Sequence, residues 1–293
     1  MDSSIIKISD IQKEDKVHIS CELFPPKTGD KIPNVASVVK EVAAFKPSYM
    51  SVTYGATGGT SDFTVDIARE ICKNGIPALA HLTCYSSTKE KVRGVVNQLK
   101  EAGISNILCL RGDIPNNPDF IPPCEYRHAS ELISDVKAMG DFCIGAACYP
   151  EGHPEADTIT EDIEHLYEKV RSGCDFLTTQ MFFDNNIYYN FLFKLLKRGI
   201  DVPVVAGIMP VTNKASLSRI ISLSGNLVPP RFKAIVDRFG DSPLAMKQAG
   251  IAYATEQIID LIANGVNNIH IYTMNKPDVA GAIISNLSHI FVK

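Results

Sequence analysis

Along this chain an amphipathic stretch, apolar at three- and four-residue spacing, repeatedly ends at a glycine and gives way to a short apolar run. The punctuation recurs at Gly75, Gly103, Gly140, Gly173, Gly199 and Gly265. Glycine suits the left-handed residue that closes a helix, and a continuous apolar run suits a strand covered on both faces. Strands are expected near Val17–Leu23, Tyr49–Tyr54, Ala78–Thr83, Asn106–Leu110, Phe142–Cys148, Phe176–Gln180, Val202–Ile208 and Asn268–Thr273. Helices are expected between them, among them Lys89–Ala102, Thr160–Ser172 and Leu244–Asn264. Repeated helix-then-strand units imply a parallel sheet, and eight of them favour closure into a (β/α)8 TIM barrel.

The seventh connection, Asn213 to Asn264, is long enough to hold extra helices, with Pro229-Pro230 opening one of them. The segment Ile114 to Arg127 carries four prolines and no helical period, which makes it a candidate functional loop. An open doubly wound sheet is the competing fold. It would place a glycine-rich dinucleotide fingerprint after the first strand, where this chain has Cys21-Glu22-Leu23-Phe24-Pro25-Pro26.

Composition narrows the function classes. With 293 residues and 45% hydrophobic content, residues 1–293 read as one catalytic barrel domain, close to the roughly 250 residues usual for this fold. Net charge is −4, and the lysines and arginines are scattered, so no surface tracks a nucleic-acid backbone. No apolar run approaches a membrane span, and the polar N-terminus does not resemble a signal peptide, so a cytoplasmic protein is expected. Cys21, Cys72, Cys84, Cys109, Cys124, Cys143, Cys148 and Cys174 form no Cys-x-x-Cys pair and read as reduced thiols rather than a metal site.

Chemistry in such a barrel gathers at the C-terminal ends of the strands. All eight ends carry polar groups: Glu22; Thr53 and Tyr54; His81 and Thr83; Arg111-Gly112-Asp113; Tyr149 through His153; Gln180; Pro210 and Asn213; and Tyr272, Asn275 and Lys276. Any one of these could be polar only because a strand stops where water begins. Glu22 is harder to explain that way, since it lies between a buried run and Leu23-Phe24-Pro25-Pro26. Its carboxyl is expected to be partly desolvated, with a raised pKa suited to general-acid work, unless an Arg or Lys pairs with it. Gly112 would let a planar ligand approach the backbone, with Arg111 available to an anion and Asp113 to a cation. A zinc reading of His81 with His153 lacks supporting ligands, and no metal is expected.

With these motifs in order, the chain resembles the methylenetetrahydrofolate reductases. The matching strings are Glu22-Leu23-Phe24-Pro25-Pro26-Lys27, Ser51-Val52-Thr53-Tyr54-Gly55-Ala56, His81-Leu82-Thr83-Cys84, Leu110-Arg111-Gly112-Asp113, Tyr149-Pro150-Glu151-Gly152-His153-Pro154-Glu155-Ala156, Thr179-Gln180-Met181-Phe182-Phe183-Asp184, Gly207-Ile208-Met209-Pro210-Val211 and Ile271-Tyr272-Thr273-Met274-Asn275. The resemblance implies FAD-dependent reduction of 5,10-methylenetetrahydrofolate to 5-methyltetrahydrofolate by a ping-pong cycle. Glu22 would protonate N10 of the folate, and Asp113 would tune the flavin and stabilise the folate cation. Gln180, Tyr272 and Lys276, with Glu22 and Asp113, would face the substrates.

FAD would be held by Thr53, Tyr54, Ala56, His81, Arg111, Gly112, Asp113, His128, Ala129, Tyr149, His153, Ala156, Asp162, His165 and Lys169. His165 and Glu168 stand where many bacterial relatives have Asn and Arg, and His128 where a tyrosine is common. Lys276 replaces an arginine, turning a bidentate grip on the folate into a point charge. The chain stops soon after an expected helix Asp278–Val292, so the resemblance implies the catalytic barrel without the C-terminal adenosylmethionine-sensing domain of eukaryotic relatives. NADH, NADPH or an electron-transfer partner subunit could supply electrons, and a homo-oligomer is the expected assembly. The alternatives are another FAD barrel of the proline-dehydrogenase type, a non-redox folate-binding methyltransferase barrel or pterin-binding subunit, and a purely structural barrel.

Overall fold

The structure, a computed structural model, describes residues 6–26, 28–54, 61–114 and 120–290. Of the residues singled out above, Lys27, Gly55, Ala56 and Val292 lie outside this set, as does the 115–119 part of the proline-rich loop.

A short helix α1 (Ile8–Ile11) precedes the first strand. The strands are β1 (His18–Leu23), β2 (Tyr49–Val52), β3 (Ala78–Thr83), β4 (Asn106–Leu110), β5 (Cys143–Cys148), β6 (Phe176–Thr179), β7 (Val204–Ile208) and β8 (Asn268–Tyr272). They pair in sequence order, all parallel, and β8 closes on β1. The helices between them are α2 (Ile32–Ala43), α3 (Ser61–Lys73), α4 (Lys89–Glu101), α5 (Ala129–Ala138), α6 (Ile159–Arg171) and α7 (Asn185–Arg198). The seventh connection holds α8 (Lys214–Ser224), α9 (Pro230–Phe239) and α10 (Pro243–Ala263), and α11 (Pro277–Asn286) follows β8. The expected (β/α)8 TIM barrel with extra helices is therefore the observed fold. Pro230 opens α9, where its missing N–H costs nothing. Val202 and Pro203 fall ahead of β7, because proline has no N–H for a ladder.

Alternation along each strand sends one set of side chains to the surrounding helices and the other to the barrel axis. Seven residues form a separate apolar cluster: Ile8 from α1, with Tyr49, Leu79, Leu108, Cys143, Phe176 and Val205 from six strands. Helix α1 thus plugs the N-terminal end of the barrel, fixed by the Ile8 N–H donating to Asn106 Oδ1 at 2.9 Å. Phe176 needs Gly145 beside it, because a Cβ there would fall 2.5 Å from the Phe176 ring. A third apolar cluster joins Phe183 and Val211 to Leu217, Phe232, Val236 and Met246, and so anchors the extra helices over β6 and β7.

Six of the eight cysteines are buried, while Cys72 and Cys124 are exposed, and all are free thiols. No described helix is long and apolar enough to cross a membrane. Helix α10 passes so close to the loop after β7 that a Cβ on Gly250 would lie 1.9 Å from the Val211 carbonyl oxygen. Gly250→Ala should therefore destabilise the protein by about 2–3 kcal/mol through overpacking. Urea denaturation measures this, and an unchanged midpoint and slope would contradict the packing described.

Candidate active site

Polar residues at alternate positions of the strands make the upper half of the barrel a polar well above the apolar plug. Ser20 and Glu22 of β1, Ser51 of β2, His81 and Thr83 of β3, Thr178 of β6 and His270 of β8 are all buried. Glu22 sits where this set converges. Only 6% of its surface is exposed. Its carboxylate lies 3.6 Å from His81 Nε2 and 3.8 Å from His270 Nε2. Among the described residues these imidazoles, and no Arg or Lys, are the basic groups within ion-pair distance of Glu22. Glu22 is thus buried, and among the described residues no Arg or Lys pairs with it.

His81 is neutral near pH 7, because burial pushes its pKa down to about 4 against the opposing pull of Glu22. Its Nε2 is buried with no hydrogen-bond partner from the described residues. His270 is held on both edges, with Ser20 Oγ 2.7 Å from Nδ1 and Ser51 Oγ 3.3 Å from Nε2. Tyr49 stacks beneath it at 6.1 Å between ring centroids, and Tyr272 meets it edge-on at 5.3 Å. His270 was missed by a reading that looked only at strand ends. The signal was present in Asn268, His270 and Tyr272, which recur at the same two-residue step as His18, Ser20 and Glu22.

Tyr272 crosses the barrel, and its hydroxyl donates to the Thr179 carbonyl at 2.5 Å. Gly207 makes room for it, since a Cβ there would fall 2.7 Å from the ring. Gln180, the first residue after β6, stays half-buried, and its Oε1 accepts from the Met181 N–H at 3.0 Å. Lys276 reaches sideways across the rim and donates to Thr212 Oγ1 at 2.8 Å, so it bridges the loops after β7 and β8.

The other side of the mouth is built from β4, β5 and α6. Gly112 has φ +86°, and a Cβ on it would lie 2.9 Å from Thr83 Cβ, so both conformation and space demand glycine. Arg111 makes a two-pronged contact with Glu155 at 2.5 and 2.6 Å, so the anion it holds here is a side chain of the β5–α6 loop. Asp113 is exposed at the rim. Burial, and then the Asp113 charge, push the Tyr149 phenol up to about 12. The Tyr149 ring meets His153 edge-on at 4.6 Å. His153 Nδ1 accepts from the Glu155 N–H at 3.1 Å, which leaves its proton on Nε2.

Beneath this loop burial raises the Asp162 pKa, and Lys169 opposes the shift. Lys169 donates to the Ala147 carbonyl at 3.0 Å, and burial lowers its pKa. His153 and Ala156 line a cleft of about 620 Å³ that Lys194 and Leu227 bound on the far side. His128, at the start of α5, is exposed and lies 6.0 Å from the His165 ring on α6, while Ala129 is buried beside it. Thr53 and Tyr54 continue β2 at the mouth, and the Thr53 N–H donates to the Leu23 carbonyl at 3.0 Å. The expected residues thus fall into two neighbouring zones, with Ala56 outside the described set. No group of three or more metal-ligating side chains occurs among the described residues.

The family model for methylenetetrahydrofolate reductase matches residues 7–288. The 5,10-methylenetetrahydrofolate reductase of Pectobacterium carotovorum is 34% identical over 276 residues, covering 93% of this chain and 90% of the relative. That of Escherichia coli K12 is 33% identical over 273 residues, covering 93% and 91%. Methylenetetrahydrofolate reductase (NADH) 1 of Arabidopsis thaliana is 33% identical over an alignment of 301 positions that covers 97% of this chain and 50% of the plant protein. Among solved structures, an uncharacterized Clostridium thermocellum protein that binds two copies of 5-methyl-5,6,7,8-tetrahydrofolic acid has a TM-score of 0.66 at 14% identity. It covers 97% of this chain and all of its own, and at that identity the likeness speaks for the fold alone. Sequence match over nearly the whole length, on a barrel with these strand ends, means that the chain belongs to the methylenetetrahydrofolate reductase family.

Proposed function

We propose that this enzyme uses FAD to reduce 5,10-methylenetetrahydrofolate to 5-methyltetrahydrofolate in a ping-pong cycle. The observation that carries the reading is the Glu22 carboxylate, buried in a polar well with histidine rather than lysine or arginine around it. A buried acid with no cationic partner to hold it permanently ionised is suited to handing over a proton.

The residues present fit a flavin. His81 Nε2 is an orphaned buried polar atom at the mouth, available to a polar edge of the ring system, and Gly112, packed on Thr83, holds the end of β4 in a left-handed turn beside it. Thr53, Tyr54, His81, Gly112 and Tyr149 would hold the ring system, with Ala56 as a further contact. Arg111, His153, Ala156, Asp162 and Lys169 would hold the phosphates and ribose, and His128, Ala129 and His165 the adenosine. Glu155 would have to share Arg111 with the diphosphate. A flavin bound there supplies the two-electron carrier between a reduced nicotinamide and the folate.

The chain's own groups account for the rest of the chemistry. Glu22 holds the proton that N10 of the folate takes as the five-membered ring opens, with the His81 and His270 imidazoles 3.6 and 3.8 Å from its carboxylate. Asp113, at the rim near Tyr149 and Arg111, places negative charge where the folate carries its cation. Gln180 offers an amide to the pterin edge or to the nicotinamide carboxamide, and Tyr272 forms the wall between that amide and Glu22. Lys276 supplies a point charge toward the folate tail. NADH is the first donor to test, because the plant relatives carry it in their names. NADPH and a protein donor are the other arms.

Anaerobic rapid mixing separates the two halves of the cycle. Glu22→Gln should leave flavin reduction by the nicotinamide within about threefold of wild type and slow reoxidation by methylenetetrahydrofolate by about 10²–10⁴-fold. Purified protein that neither carries nor binds FAD would overturn the reading.

The low pKa of His81 has a second consequence. The unfolded chain takes up a proton near pH 6.5 that the folded protein refuses until about pH 4. Stability from this group is therefore complete above pH 6.5 and is lost as the pH falls toward 4. The loss should reach up to about 3 kcal/mol. In His81→Asn the slope of denaturation midpoint against pH across that interval should be clearly shallower, and an unchanged slope would contradict the assignment.

A further inference from the structure

The register between β1 and β8 ends at the pair Glu22 and Tyr272. Beyond that point the backbone of β8 leaves the sheet. Met274 and Asn275 have φ of 53° and 55°, two consecutive left-handed residues without a glycine. Such residues are strained and persist where surrounding contacts over-determine them. Asparagine tolerates the conformation, while methionine does not favour it.

The contacts that over-determine this turn reach back to β1. Thr273, itself 1% exposed, donates its hydroxyl to the Glu22 carbonyl at 2.5 Å. Asn275 makes two bonds to one residue, its Oδ1 accepting from the Phe24 N–H at 2.8 Å and its Nδ2 donating to the Phe24 carbonyl at 3.0 Å. On its other side the same stretch is held by the β2 ladder through Leu23 and Val52 and by the Thr53 N–H on the Leu23 carbonyl. Side chains of the β8 tail therefore stand in for two missing rungs, one at Glu22 and one at Phe24. The backbone can turn away at the mouth without releasing the end of β1.

We infer that Thr273 and Asn275 are positioning residues for Glu22, fixing the backbone on which its carboxyl is presented to the folate. This rests on the reductase reading above. Neither side chain is assigned a contact with the reacting atoms, and their effect passes through Glu22 alone. A displacement of about 1 Å in a catalytic group is enough to cost on the order of a hundredfold in rate.

The test uses Thr273→Val, which removes the hydroxyl at nearly constant volume, and Asn275→Gly, which keeps the left-handed backbone and deletes the clip. Thr273→Ser keeps the donor. Each variant is loaded with FAD, reduced with dithionite and mixed anaerobically with 5,10-methylenetetrahydrofolate. Reoxidation should slow about ten- to a hundredfold in Thr273→Val and Asn275→Gly, with FAD content unchanged, and recover in Thr273→Ser. In a Glu22→Gln background the same two substitutions should add little, because the group they position is already gone. The inference is overturned if they slow Glu22→Gln by the same factor as wild type, if they leave reoxidation unchanged, or if their slowing only follows lost FAD. Wild-type enzyme that binds FAD but is not reoxidised by the folate would instead overturn the reductase reading, a separate result.

Discussion

Burying the Glu22 carboxyl inside the barrel is the constraint on which the rest of the site depends. An ionised carboxyl removed from water is costly by several kcal/mol unless charge or hydrogen bonds compensate. Here its basic neighbours are two imidazoles, and His81 stays neutral under the same burial. The surroundings neither flood the carboxyl with solvent nor lock it to a permanent cation. On the proposed reading this is the group that protonates the folate. The scaffold tolerates the arrangement because the apolar plug of Ile8, Tyr49, Leu79, Leu108, Cys143, Phe176 and Val205 supplies the packing that the polar upper half gives up.

Space around that carboxyl is set by glycines facing large side chains. Gly145 admits Phe176 to the plug, Gly207 admits Tyr272 across the well, and Gly112 admits the Thr83 side chain at the mouth. The last of these combines a left-handed backbone with a contact too close for any Cβ, so it serves the mouth rather than the sheet. The extra helices of the seventh connection add a separate apolar cluster and three bonds to successive carbonyls after β6. Asn226 reaches Met181, Gln257 reaches Phe182 and Tyr253 reaches Phe183. That grip steadies the loop that begins at Gln180. Arg111 and Glu155 pair across the opposite rim, joining the end of β4 to the loop that follows β5.

Much of this was legible in the sequence, and the reason is periodicity. The glycine punctuation marked the helix ends, and the apolar runs after it marked all eight strands to within about two residues. Pro229-Pro230 announced α9 inside the long seventh connection. The strand-end residues were found because the fold dictates where to look. What the sequence did not disclose is pairwise: that Glu22 faces His81 and His270 rather than a lysine, that Arg111 turns to Glu155, and that Lys276 spans to Thr212. These depend on register and on which side chain is long enough to cross the mouth. His270 was hidden in an apolar run, between Ile269 and Ile271, where only its two-residue step from Tyr272 marks it as facing the axis.

The most direct test of the account is a crystal structure of Glu22→Gln with FAD and 5,10-methylenetetrahydrofolate bound. The account predicts the flavin ring against Gly112 and the folate's N10 side directed at residue 22, with Gln180 and Tyr272 on the pterin. Folate density away from the polar well, or residue 22 turned from the ligand into the barrel wall, would contradict it.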